Sequence, residues 1–212
     1  MPRTMAAMDI GIIGAGSLGT ALGGRLRQAG HAIMYARGES AHLAAEGQEA
    51  SAGSNADAAA FGEVTILAVP FGAIGCALAE AQPPEGRIIW TCVNALKPDY
   101  SGLAVGFDHS AAEEVARHAP GARVVAAVPP FADAIAAQRL SYDGDFAPSV
   151  FMCGDDPGAK AVVARLIGDL GAHPVDAGPL AVARLVEPAM MLLVTIAYAG
   201  VPRDVGLRLL ER

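Results

Sequence analysis

The sequence predicts an α/β protein of the Rossmann type, a doubly wound and mostly parallel sheet with a small α/β segment at its C-terminal end. Three observations predict it. The apolar run Ile10-Gly11-Ile12-Ile13 passes directly into Gly14-Ala15-Gly16-Ser17-Leu18-Gly19 and then into a helical stretch, so a buried strand turns tightly into a helix. Short, continuous apolar runs alternate with helical stretches along the chain, which is the pattern of strands buried on both faces. A length of 212 residues holds one well-packed domain, or a nucleotide domain with a small appendage, but not two full domains.

Taken in order, residues 1–8 read as a frayed tail without an apolar stretch of signal-peptide length. The first strand and helix follow, then a strand at 32–36 and a short helix at 40–46. The Gly/Ser/Asn-containing stretch 47–55 reads as a loop, and 56–61 as a helical turn. Val64-Thr65-Ile66-Leu67-Ala68-Val69 is strongly β-forming and is ended by Pro70. A helix is expected over 71–81, with strands at 87–91 and 123–128 on either side of a helix at 110–118. Ser110-Ala111-Ala112-Glu113 fits a capping box. Residues 149–154 read as a strand, and Asp155-Asp156-Pro157 as a capped helix start. The stretch from 178 to 212 is expected to be helical apart from a break at Gly200-Val201-Pro202. Residues 9–147 are thus expected to form a nucleotide-binding domain, and 148–212 a segment closing its cleft.

A net charge of −7 leaves no broad basic surface to neutralise a nucleic-acid backbone or an anionic membrane. The three cysteines, Cys76, Cys92 and Cys153, are too few and too far apart for a disulfide framework or a zinc site, which suits a reducing cytoplasm. The apolar stretch 188–201 is shorter than the ~20 residues of a membrane span and reads as a buried helix. Met190, Met191, Leu192, Leu193, Val194 and Ile196 face too many directions for one small domain to cover. A homodimer packed on this helix is expected, unless 204–210 folds back over it.

The glycine turn points to a dinucleotide. Its first glycine permits the turn, its second lets the backbone approach a pyrophosphate, and its third lets helix and strand pack closely. The tail of the second strand chooses between NADP and NAD: Arg37 and Ser40 suit a 2'-phosphate, whereas Glu39, 20 positions after Gly19, could bind a ribose hydroxyl. Spacing reveals no metal ligands and no catalytic triad. His31, His42, His109, His118 and His173 read as surface groups, and Cys92 as a buried inert thiol. A hydride can pass directly between two stacked cofactors without an acid or base, so no catalytic side chain is expected.

The order of these motifs resembles the NADPH-dependent reductases of the deazaflavin coenzyme F420, to which the nucleotide domain of the STEAP ferric reductases is also related. The segments that carry the resemblance are Ile12 to Gly19, Leu67-Ala68-Val69-Pro70-Phe71, Cys153-Gly154-Asp155-Asp156, Asp176-Ala177-Gly178-Pro179-Leu180 and Ala183-Arg184-Leu185-Val186-Glu187. The resemblance implies that Gly14, Ala15, Gly16, Ser17, Leu18 and Gly19 form the pyrophosphate turn, with Arg37 and Ser40 on the 2'-phosphate. It places Val69 and Pro70 beside the nicotinamide ribose and Asn94 near the reaction centre. The pair here is Asn94-Ala95, where many relatives carry Asn-Pro, and Val128-Pro129-Pro130-Phe131 replaces a more polar segment. Both departures lie on the acceptor side. The implied activity is hydride transfer between NADP(H) and F420 or a flavin, FMN or FAD. A reductase of a small carbonyl or imine compound and a non-catalytic NADP(H) sensor are the alternatives. Arg184 and Glu187, at i,i+3 spacing, read as an ion pair on one helix.

Overall fold

The computed structural model describes residues 7–36, 50–129, 132–137, 140, 146–199 and 205–210. Among the described residues eight strands form one sheet: β1 (Asp9–Ile13), β2 (Ala32–Ala36), β3 (Ser51–Gly53), β4 (Val64–Leu67), β5 (Ile88–Thr91), β6 (Arg123–Ala127), β7 (Ser149–Gly154) and β8 (His173–Gly178). Their spatial order is β3-β2-β1-β4-β5-β6-β7-β8. The first six strands are mutually parallel, β7 runs antiparallel to β6, and β8 is parallel to β7. The chain therefore winds outward from β1 in one direction and then restarts at β4 in the other. That reversal opens a crevice outside the carboxyl ends of β1 and β4, where ligands of such sheets bind.

Helices cover both faces. On one lie α1 (Ser17–Gln28), α5 (Ala132–Ala136) and α6 (Pro157–Leu170); on the other lie α2 (Asn55–Phe61), α3 (Ile74–Ala81), α4 (Ala111–His118) and α7 (Ala183–Tyr198). Strand residues alternate between the two cores. Ile10, Ile12, Ile66 and Trp90 pack on the first, and Ile13, Leu67 and Ile89 on the second. Val64 to Leu67 are all buried, which is why that strand reads as an unbroken apolar run rather than an alternating one. The Trp90 indole is wholly buried and donates to the Ala127 carbonyl at 2.8 Å, so its polar atom is satisfied inside the core.

Several expectations need correction. Residues 51–53 are not a loop but the edge strand β3, paired with β2; Ser-Ala-Gly carries no apolar signal, and the pairing alone makes the strand. Residues 173–178 also form a strand despite Pro174, because β8 is an edge where a missing N–H costs no ladder bond. The helix over 71–81 starts with a 3-10 turn, Phe71–Ala73. Residues 205–210 are irregular rather than helical: the Ser149 N–H donates to the Leu207 carbonyl at 2.7 Å, and Arg208 Nη1 to the Ala147 carbonyl at 2.6 Å. That segment runs beside the start of β7 instead of over α7. The short helix expected over 40–46 lies outside the described residues.

Candidate functional site

The glycine turn joins β1 to α1 at the crevice, and its three glycines are there for three different physical reasons. Gly14 has φ +103°, and a Cβ on it would fall 2.2 Å from the Ala68 carbonyl oxygen. Gly19 lies so close under the turn that a Cβ would sit 1.9 Å from the Gly14 oxygen. Gly16, the N-cap of α1, would meet nothing within 4 Å, so its missing side chain leaves open space in front of the helix. The first and third glycines serve packing. The second leaves a cradle that a side chain would fill, at the positive end of a helix whose first amides have no intrahelical partner.

The contact of Gly14 with Ala68 and the Val69 side chain brings the β4 end against this turn. Val69 is half-buried and Pro70 exposed there. The ladder continues past the strands, with the Ala68 N–H donating to Ile13 at 2.8 Å and the Cys92 N–H to Leu67 at 2.9 Å. Asn94 follows β5 on the same edge of the sheet. Its Oδ1 is buried with no hydrogen-bond partner among the described residues, which is costly unless a ligand supplies a donor. Arg37, Ser40, Glu39 and His42 lie outside the described residues, as do Pro130 and Phe131.

The C-terminal helix α7 closes on the segment between β5 and α4 from both of its ends. Near its start, Arg184 donates from Nε and Nη2 to the Glu113 carboxylate, with Nη2 2.6 Å from Oε1. Glu187 is 3% exposed and accepts from the Ala111 and Ala112 amides at 2.9 and 3.1 Å. The expected Arg184–Glu187 pair is therefore wrong: each residue reaches a partner more than 70 positions away, on α4, which helix spacing cannot reveal. Glu113 is only half of the expected capping box. Its amide donates to Ser110 Oγ at 3.2 Å, but its carboxylate turns to the Ser110 hydroxyl and Arg184. At the far end, the Tyr198 ring stacks on Tyr100, with centroids 6.1 Å apart.

The electrostatics follow from these contacts. Burial raises Glu187 to about 6, against the opposing effect of the amides that face it, and the Glu113 charge adds to the rise. The Arg184 guanidinium holds Glu113 below the usual carboxylate range. Burial pushes the Cys92 thiol far above its ordinary value and Cys153 up to about 12, so neither is a nucleophile at neutral pH. Asp156 caps α6 by accepting from the Ala159 amide at 2.6 Å, as expected, whereas Asp155 does not cap that helix: it accepts from the Leu180 amide at 2.9 Å, 25 positions away.

Among the described histidines only His31 departs from expectation; His118 and His173 are exposed. His31 is 4% exposed at the amino end of β2; its Nδ1 accepts from the Met8 amide, so its Nε2–H donates to Asp169 at 3.1 Å. His109 lies 2.6 Å from Glu114 through Nε2, and His118 lies near the same carboxylate. Only contacts across distant sequence positions could reveal His31 as a core residue. The run Leu180–Tyr198 is long and apolar enough by composition to cross a membrane, contrary to the expected length limit. Its bonds to α4 are those of a helix packed on its own domain.

Residues 9–95 match the family model described as NADP oxidoreductase coenzyme F420-dependent. A structure from Arthrobacter sp. FB24, provisionally described as an F420-dependent NADP-reductase, is 24% identical, with 97% of this chain and 100% of that one covered at a TM-score of 0.85. A hypothetical protein from Sinorhizobium meliloti is 28% identical, with 98% and 97% covered and a TM-score of 0.74. A reductive aminase from Aspergillus terreus, solved with NADPH4, cyclohexanone and allyl amine, is 18% identical at a TM-score of 0.64; the match covers 92% of this chain and 63% of the aminase. The glycine turn and the strand order that place the crevice both fall within the matched region, and residues 9–95 are similar to the F420-dependent NADP oxidoreductase family.

Proposed function

We propose that the chain transfers a hydride between NADP(H) and a flat acceptor of the F420 or flavin type. The open cradle at Gly16, at the head of α1 and against the β4 end, carries this reading. In it, Gly14 to Gly19 would hold the pyrophosphate, Val69 and Pro70 the nicotinamide ribose, and Asn94 the nicotinamide side, with Arg37 and Ser40 on the 2'-phosphate. The nicotinamide, when bound, supplies or accepts the hydride. The protein's work is to align the two rings and exclude water. With both buried thiols held neutral, neither Cys92 nor Cys153 competes for the reaction.

The acceptor decides among the readings. NADPH oxidation followed by its absorbance, with F420, FMN or FAD, is expected to turn over. Turnover with a cyclic imine or ketone alone would shift the reading to a metabolite reductase, the class to which the aminase belongs. Tight binding with no acceptor used would make the chain a sensor. Replacing Arg37 by alanine is expected to weaken NADPH by roughly tenfold or more and leave NADH unchanged, since a charge-assisted phosphate contact contributes about 1.5–3 kcal/mol.

The partner expected on α7 is a second copy of the chain. Met190 and Leu193 are covered within the chain, whereas Leu185, Leu192 and Tyr198 are exposed. Sedimentation should show a dimer that Leu192→Glu dissociates; a monomeric wild type removes the proposal. Three free thiols fit a reducing compartment, the cytoplasm in this reading.

A further inference from the structure

β6 stops early for a reason its sequence supplies. Its pairing with β7 ends at Ala127, opposite Met152, and Pro129, two positions on, has no N–H to continue the ladder. β7 nevertheless starts further out on the crevice side, at Ser149. The Pro148 carbonyl accepts from the His173 amide of β8, so the Ser149 N–H, on the other edge of the same trans peptide, faces the line that β6 has left. The C-terminal segment fills that line. The Leu207 carbonyl takes the Ser149 N–H at 2.7 Å, and the Leu209 N–H donates to the buried Ser149 Oγ at 3.0 Å. Leu207 to Leu209 thus stand in for β6 roughly 10 Å beyond its carboxyl end, at ~3.3 Å per residue.

Arg208, between those two leucines, is exposed and held in place twice. Its Nη1 donates to the Ala147 carbonyl at 2.6 Å, and its guanidinium carbon lies 5.6 Å from the centroid of the exposed Phe146 ring. Among the described residues no carboxylate forms an ion pair with it. A guanidinium fixed by a ring and a carbonyl has already given up much of its rotamer freedom, and the rest of its fork faces solvent. In a chain of net charge −7, a preset and uncompensated cation at the mouth of the crevice calls for an anion.

We propose that Arg208, backed by Phe146, binds the phosphate at the far end of the hydride acceptor's ribityl chain, the group that FMN and F420 share and riboflavin lacks. The proposal rests on the acceptor reading above. There the nicotinamide stands at the ends of β4 and β5, one strand short of β6, so an acceptor ring stacked on it has the line of β6 beside it for its polar tail. The planar fork of arginine takes two oxygens of a phosphate at once, which selects acceptors by tail rather than by ring.

The test measures kcat/KM of the intact protein with NADPH for FMN against riboflavin, and for F420 against its phosphate-free deazariboflavin core. Wild type should prefer the phosphate-bearing member of a pair by about tenfold, Arg208→Gln should bring that ratio close to one, and Phe146→Leu should reduce it by less. A general loss of structure lowers both members and leaves the ratio, so the ratio isolates the phosphate. Equal use of both members by wild type, or an unchanged ratio in Arg208→Gln, would overturn the Arg208 site and leave the acceptor reading standing. No NADPH oxidation with any of the four would overturn the acceptor reading and the site with it. Should Arg208→Gln not fold, salt decides on wild type: the preference should fall several-fold between about 50 mM and 500 mM salt, and a salt-independent preference overturns the site.

Discussion

The glycine turn and the seam between α4 and α7 are built in opposite ways. The turn is local: Gly14, Gly16 and Gly19 act on backbone within six positions of one another, apart from the contact with Ala68. The seam is long-range, with Arg184 and Glu187 reaching back 71 and 75 or 76 positions to α4. A local motif is constrained by sterics that spacing expresses directly. A seam is constrained by which helices meet, and spacing along one helix is silent about that.

The sharpest way to break the comparison is within the turn itself. Gly19→Ala should destabilise the fold by about 3 kcal/mol, the upper end for over-packing, because its Cβ would lie 1.9 Å from the Gly14 oxygen and backbone cannot yield as a side chain does. Denaturant titration measures it. Gly16→Val should instead leave the fold near wild type and abolish binding of NADPH and NADH, since its side chain would enter space that is empty in the protein. If both variants lose only stability, the turn is packing and nothing more.

What was legible in the sequence follows the same division. β1, its turn, α1 and the run Val64 to Leu67 could be read because burial on both faces and the glycine spacing write themselves into adjacent residues. β3 could not, since Ser51, Ala52 and Gly53 become a strand only by pairing with β2. Asn94 was reached through resemblance, and its orphaned oxygen needed the structure. Glu187 stood in a segment that carried the resemblance, but its role was hidden by the plausible short-range partner Arg184. A buried glutamate after an apolar Leu-Val pair was the available signal, and helix periodicity alone misassigned it.

On the seam the expected effects are smaller and depend on pH. Glu187 is raised to about 6, so the folded protein binds its proton more tightly than the unfolded chain does. The stability this lends is fully present below the ordinary carboxylate value and is lost as pH rises through about 6. Relative to Glu187→Gln, wild type should therefore lose about 2 kcal/mol between roughly pH 4 and 7. A pH-independent difference would mean that Glu187 keeps its ordinary titration.

Arg184→Met should give the smallest effect and the opposite slope. Its partner Glu113 is lowered chiefly by the Arg184 hydrogen bonds, with the Ser110 hydroxyl assisting. A lowered carboxylate contributes stability that is present above its ordinary value and lost as pH falls through the folded one. The midpoint difference between wild type and Arg184→Met should thus be largest near neutrality and vanish in acid. High salt should shrink it as well, because 38% of the Arg184 side chain is in contact with solvent and the pair is screened. The Glu187 effect should survive the same salt, since that carboxylate is buried. A salt-insensitive Arg184 effect would mean that the arginine stem packs against α4 and that the two halves of the seam are one apolar contact, not an exposed ion pair beside a buried carboxylate.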